Sequence, residues 1–122
     1  MRSEKPYKRT ERIEHQLLEI LGEIKVRHID LSHLGFITFT SAKITPDLRM
    51  AKVFYSVLKP RLDTEEITAG LNLLKGTFRK YLAPELHIKN IPELTFYYDE
   101  TIEYSEKIDR LIDTIHQNSN DL

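Results

Sequence analysis

Cysteine is absent from the 122 residues. That excludes a disulfide framework, a thiol nucleophile and a Cys-ligated metal, and it suits a reducing, cytoplasmic compartment. Long apolar runs are missing too. None approaches the ~18–20 residues of a membrane span, so no membrane partner is expected, and Met1–Arg12 is too charged for a signal peptide's apolar stretch. Glycine is sparse: Gly22, Gly35, Gly70 and Gly76 are scattered, which leaves no glycine-rich phosphate loop. No cofactor or metal is expected. Excess charge of one sign is also lacking, with 18 Lys+Arg against 19 Asp+Glu. On its total charge the chain is therefore not a uniformly basic nucleic-acid binder.

The distribution of that charge says more. Met1–Arg12 carries five basic and two acidic side chains, and Lys43–Lys89 carries nine basic and five acidic ones. Asp99–Leu122 reverses the sign, with seven acidic residues and two basic. An acidic tail thus masks a basic arm and a basic body, an asymmetry that points towards a polyanion-binding face. The alternative is a solvated surface with a charged tail.

With 40% hydrophobic and 30% charged residues, a chain of this length is expected to fold as one soluble domain around one core. Ile13, Leu17, Ile20, Leu21 and Ile24 repeat at helical spacing from about Arg9 to Val26, with Thr10 as a candidate N-cap. Phe36–Ile44 and Met50–Leu58 are rich in β-branched and aromatic residues and read as strands; Thr45–Arg49 is the turn that makes them an antiparallel hairpin. Asp63 and Glu66 form a capping pair for a helix marked by Ile67, Leu71, Leu74, Phe78 and Leu82, which Gly76 is expected to interrupt. Ala83-Pro84 ends it. Leu94–Tyr98 is a third strand, and Tyr104, Ile108, Leu111, Ile112 and Ile115 outline a last amphipathic helix. The order is α-β-β-α-β-α, an α+β class in which helices cover one side of a small sheet.

Chemistry-bearing groups are few. His28–His33 contains imidazoles and a carboxylate but no third strong ligand at a diagnostic spacing, so it reads as an exposed polar loop. Glu65 and Glu66 point about 100° apart on a helix and cannot share a substrate. His15, His87 and His116 are isolated, and no catalytic residue is assigned. Lys75-Gly76-Thr77-Phe78-Arg79-Lys80 is more informative. Three cations surround a glycine whose missing Cβ admits another backbone, and free N–H groups at a helix break attract phosphate. The alternative is a basic outer helix face whose Gly76 permits tight packing. Tyr55, Tyr81, Phe96, Tyr97 and Tyr98 are candidates for stacking on bases or for core packing; strand alternation sets Tyr97 opposite Phe96 and Tyr98.

Three stretches in order carry a family resemblance. They are Asp47-Leu48 followed by Ala51-Lys52-Val53; Leu71-Asn72 through Lys75-Gly76 to Arg79; and Pro92-Glu93-Leu94-Thr95-Phe96-Tyr97-Tyr98-Asp99, the most specific. From Arg9 to about Leu111 the chain resembles the ribosome-binding factor A family. The resemblance implies a KH-like fold of the second type, αββααβ, with a kinked helix–helix junction of pattern Ala-x-Gly in place of the usual KH glycine loop. Here that triplet is Leu74-Lys75-Gly76, which keeps the glycine and replaces the alanine with a larger residue. Where the family tends to carry an Asp-Pro step, the loop reads Asp30-Leu31-Ser32-His33. The implied organisation is a single domain with a basic arm over 1–8, a KH-like core over 9–99, an acidic helix over 100–116 and a flexible end over 117–122.

The resemblance further implies a non-catalytic assembly factor that binds the free 30S small ribosomal subunit and its 16S rRNA. It would act as a monomer in late maturation, including 16S 5′-end processing, and be important in the cold. Arg9, Arg12, Lys75, Gly76, Arg79, Lys80 and Lys89 are the candidate RNA-binding residues. Such contacts position a protein on RNA without reading sequence, and the folded shape of the RNA supplies specificity. Other classes are a generic KH-type module on other RNAs, a protein-interaction module without RNA, and a small hydrolase. The missing Gly-x-x-Gly loop disfavours the first, and only unaligned carboxylates and histidines recommend the last.

Overall fold

In the computed structural model, residues 9–101 are described. The expected basic arm over 1–8, most of the acidic helix over 100–116, and the end over 117–122 lie outside that range. Ile13, Leu17, Ile20, Leu21 and Ile24 form the buried stripe of α1 (Arg9–Arg27). The helix already includes Arg9, so Thr10 lies within it and is not its cap.

The hairpin falls where the side-chain pattern places it, as β1 (Phe36–Ile44) and β2 (Met50–Leu58), paired antiparallel. Asp47 stabilises the turn. Its carboxylate accepts from Thr45 Oγ1 at 2.7 Å and from the Arg49 N–H at 3.1 Å, and these bonds hold its pKa below the usual value. The register shifts between Phe39 and Ser41, a bulge that lets the Thr40 hydroxyl donate to Asp99 Oδ2 at 2.7 Å. Gly35 precedes β1 with φ +131°, backed against Val57, Lys59 and Pro60 so closely that a Cβ would meet Val57 Cγ2 at 2.8 Å.

Asp63 caps α2 (Thr64–Leu73) by accepting the Glu66 N–H at 2.9 Å. A short α3 (Lys75–Leu82) follows, and then β3 (Glu93–Tyr98), parallel to β2. The order is αββααβ and the sheet order β1-β2-β3. This is the α+β, KH-like arrangement expected from the sequence. The helix break, however, is at Leu74 rather than Gly76. Leu74 has φ −95° and ψ 2° and packs partly buried against the core, while Gly76 is helical inside α3. Packing of Leu74 sets the bend, and the glycine is not needed to make it.

All three helices lie on one face of the sheet, over Ala51, Val53, Tyr55, Leu94 and Phe96. Phe39, Phe78 and Phe96 meet there at ring-centroid distances of 5.3–5.7 Å. Tyr55 is fully buried, and its hydroxyl lies 2.7 Å from Thr68 Oγ1. Side chains from the helices occupy both outer strands. Lys25 Nζ donates to Ile37 O at 2.6 Å, and Glu14 accepts the Ile44 N–H at 2.7 Å, both on β1. On β3, Asn72 accepts the Phe96 N–H at 2.9 Å and donates to Phe96 O at 3.1 Å. One C=O and one N–H of β1 and both backbone groups of Phe96 on β3 are thereby engaged.

Candidate nucleic-acid interface

Phe78 and Leu82 anchor α3 in the core, and helical geometry then turns Lys75, Gly76, Thr77, Arg79 and Lys80 outward, all exposed. Lys75 and Arg79, four residues apart, share one flank; Gly76 and Lys80 share the next. The bend at Leu74 begins a new helix here, so the N–H groups of its first turn are those a helix start leaves without intrahelical partners. Leu74 makes no side-chain cap hydrogen bond. Cations therefore gather at a helix start on one small surface, a combination suited to phosphate.

Gly76 bears on the packing reading of this segment. A Cβ built on it meets nothing within 4 Å. Tight packing among the described residues thus does not explain the glycine, and no described residue fills the space above its Cα. A glycine costs up to about 1 kcal/mol relative to alanine in a helix interior and less in the first turn, where Gly76 sits, so its presence here brings no local stability.

The remaining candidate residues are dispersed. Glu14 ties the start of α1 to the end of β1 at Ile44, which places exposed Arg9 and Arg12 towards that end. The other end of α1 meets α3, where His28 stacks on Tyr81 at 4.3 Å with planes 4° apart. At 1.5 Å per residue, Arg9 lies ~28 Å along the helix from that stack. Arg9 and Arg12 thus stand apart from the α3 group. Lys89 is exposed in the loop between α3 and β3. Arg79 is partly engaged there, donating to Ile91 O at 2.9 Å, which leaves the other guanidinium N–H groups outside that bond. Lys80 Nζ sits 5.8 Å from the Tyr81 ring centroid.

Among the aromatic candidates, Tyr55 and Phe96 are core, Tyr98 is half-buried, and Tyr97 faces outward at 40% exposure. Sequence reasoning missed the His28–Tyr81 stack because the two rings are 53 residues apart and no spacing rule joins them. The 28–33 loop folds around a local turn. Asp30 accepts the Ser32 N–H at 2.9 Å, and that bond, with His33 nearby, holds its pKa below the usual value. Among the described residues, no helix is long and apolar enough to cross a membrane.

Comparison with known proteins supplies the remaining observation. The family model for ribosome-binding factor A matches residues 9–112. The chain is 41% identical over 117 residues to the ribosome-binding factor A of Thermodesulfovibrio yellowstonii, covering 96% of this chain and 98% of that one. It is 35% identical over 114 residues to that of Syntrophobacter fumaroxidans, covering 92% and 97%. The fold is similar to the crystal structure of ribosome-binding factor A from Thermus thermophilus, with TM-score 0.64, 18% identity and coverage of 75% of this chain and 97% of that one. It is also similar to a Thermus thermophilus homology model fitted into a cryo-electron-microscopy map of a complex with the 30S subunit, at TM-score 0.56 and 20% identity, covering 70% and 90%. The elbow before α3, the αββααβ order and these matches together place the chain in the ribosome-binding factor A family.

Proposed function

We propose that this protein is a non-catalytic assembly factor that binds the free 30S subunit through its 16S rRNA and acts late in maturation, including 16S 5′-end processing. It works as a cytoplasmic monomer with a single folded domain, and its contribution is greatest in the cold. The observation that carries this reading is the open space above Gly76, with Lys75, Arg79 and Lys80 exposed around it. An RNA backbone can approach the α3 backbone there, while the cations neutralise neighbouring phosphates. Arg9, Arg12 and Lys89 extend the contact along the particle. Family membership, and the 30S complex into which a Thermus thermophilus relative was fitted, support the subunit as target.

Titration of purified small subunits across a salt series tests this contact. Because Arg79 also braces Ile91, Lys75→Glu with Lys80→Glu is a cleaner pair than a change at Arg79. The double variant is expected to bind more weakly at low salt and to flatten the slope of log affinity against log salt by roughly 1.4–1.8, the loss of two phosphate contacts. An unchanged affinity and slope would mean that these lysines are only a solvated face.

A further inference from the structure

The strand register lays out the outer face of the sheet, away from the helices, in rows. Lys43, Lys52 and Thr95 form one row; Ser41, Phe54 and Tyr97 form the next, ~6.7 Å further along the strands. Tyr97 is 40% and Met50 53% exposed. The Phe54 and Tyr97 rings lie 5.8 Å apart with planes 32° from parallel, and Lys52 Nζ is 5.9 Å from the Tyr97 centroid. Tyr97 borders two hollows, of about 380 and 260 Å³, one shared with Ser41 and Phe54 and the other with Lys43, Lys52 and Thr95. Lys43 and Lys52 face each other as like charges, which costs stability in a strand pair, and among the described residues neither is neutralised by an ion pair. Core packing does not call for this combination, since the core lies on the opposite face.

We propose that this face binds single-stranded RNA, with unpaired bases stacking on Tyr97, Phe54 extending the platform, and Lys43 and Lys52 holding the neighbouring phosphates. Charge and aromaticity together select that occupant over an apolar protein surface. An apolar partner would bury two uncompensated ammonium groups, which is costly, whereas phosphates neutralise them. Base faces stack on aromatic rings whatever their sequence, so one exposed tyrosine serves any unpaired base. Carboxylates stand at both ends of β3: Glu93 is the register partner of Met50, and Glu100 lines the larger hollow. Both repel phosphate, so the RNA backbone follows β1 and β2 and the bases point towards Tyr97. The inference rests on RNA as the ligand of the proposed function, but not on α3, which packs on the other face of the sheet.

The experiment is a nuclear magnetic resonance titration of the full chain with a short single-stranded oligoadenylate. Ring-current shifts are expected at the Tyr97 and Phe54 rings and the Met50 methyl, with the core Tyr55 and Phe96 rings unmoved. Tyr97→Ala should weaken binding about 5-fold or more, the loss of one base stack, whereas Tyr97→Phe keeps the ring and should bind as the unmodified protein does. Lys43→Gln with Lys52→Gln should flatten the salt slope by about 1.4, the loss of two single-strand phosphate contacts. Lys75→Glu with Lys80→Glu should leave the Tyr97 shifts in place, so failure of the α3 contact and failure of this one are separate results. Rings that ignore the oligomer mean that a protein surface or another part of the chain occupies the face, and would overturn the proposal. So would unchanged affinity in Tyr97→Ala, a Tyr97→Phe variant as weak as the alanine one, or shifts that vanish in the α3 variant.

Discussion

If the proposed contact is right, the missing methyl group at position 76 affects stability and binding in opposite senses. Alanine there meets open space and removes the reduced glycine cost of a first-turn position, so Gly76→Ala should raise stability slightly, by up to about 0.5 kcal/mol in chemical denaturation. On the proposed contact, the same substitution should weaken binding to small subunits, because the Cβ would intrude where RNA backbone is proposed to approach. Gly22→Ala is the control: a Cβ there also meets nothing within 4 Å, and it should stabilise without changing binding. Equal binding by both variants would remove Gly76 from the interface. Gly35 behaves oppositely. Its φ of +131° and the 2.8 Å approach to Val57 Cγ2 make Gly35→Ala destabilising, by about 1–3 kcal/mol in the same measurement. Tyr55 gives a pH signature. Burial raises its hydroxyl pKa above the ordinary 10.0, against the opposing Thr68 bond. The neutral form is favoured in the fold, so this stability is intact below pH ~10 and is lost as pH rises through the folded-state pKa. A denaturation series from pH 9 to 11 should show stability falling in the native chain and a flatter limb in Tyr55→Phe.

At the scale of elements, Asn72 is the main polar tie between helix and sheet, bonding both the N–H and C=O of Phe96. Asn72→Ala leaves both groups without that partner and should cost about 2–3 kcal/mol in urea unfolding; loss of the Asp63 cap in Asp63→Ala should cost only about 1. The strands and α1 were legible in the sequence because alternation and a 3.6-residue stripe are local signals, and β1 and β2 have the ends their composition marks. The cap at Asp63 was legible for the same reason. The bend was not. Gly76 is the weakest helix former nearby, yet Leu74 breaks the helix because its side chain packs towards the core, which composition does not encode. Asn72 was equally silent, since its partner lies 24 residues away. The exposure of Lys75, Arg79 and Lys80 followed from spacing, whereas the bond from Arg79 to Ile91 needed three dimensions.

At the scale of the whole molecule, a net charge of −1 divides along the sequence into segments of opposite sign. The exposed side of α3 gathers cations on a stable frame, while α1 and Asn72 engage the backbone of the outer strands. On the proposed function, such a frame suits a protein that grips one large particle and leaves it again, because near neutrality limits attachment to other polyanions. Sucrose-gradient sedimentation of cell extract at low salt, with detection of this protein, tests the central claim most directly. The protein should travel with free small subunits and be absent from translating ribosomes, while Lys75→Glu with Lys80→Glu should stay near the top. An unmodified protein that remained at the top of the gradient, or a double variant that sedimented with the subunit undiminished, would contradict it.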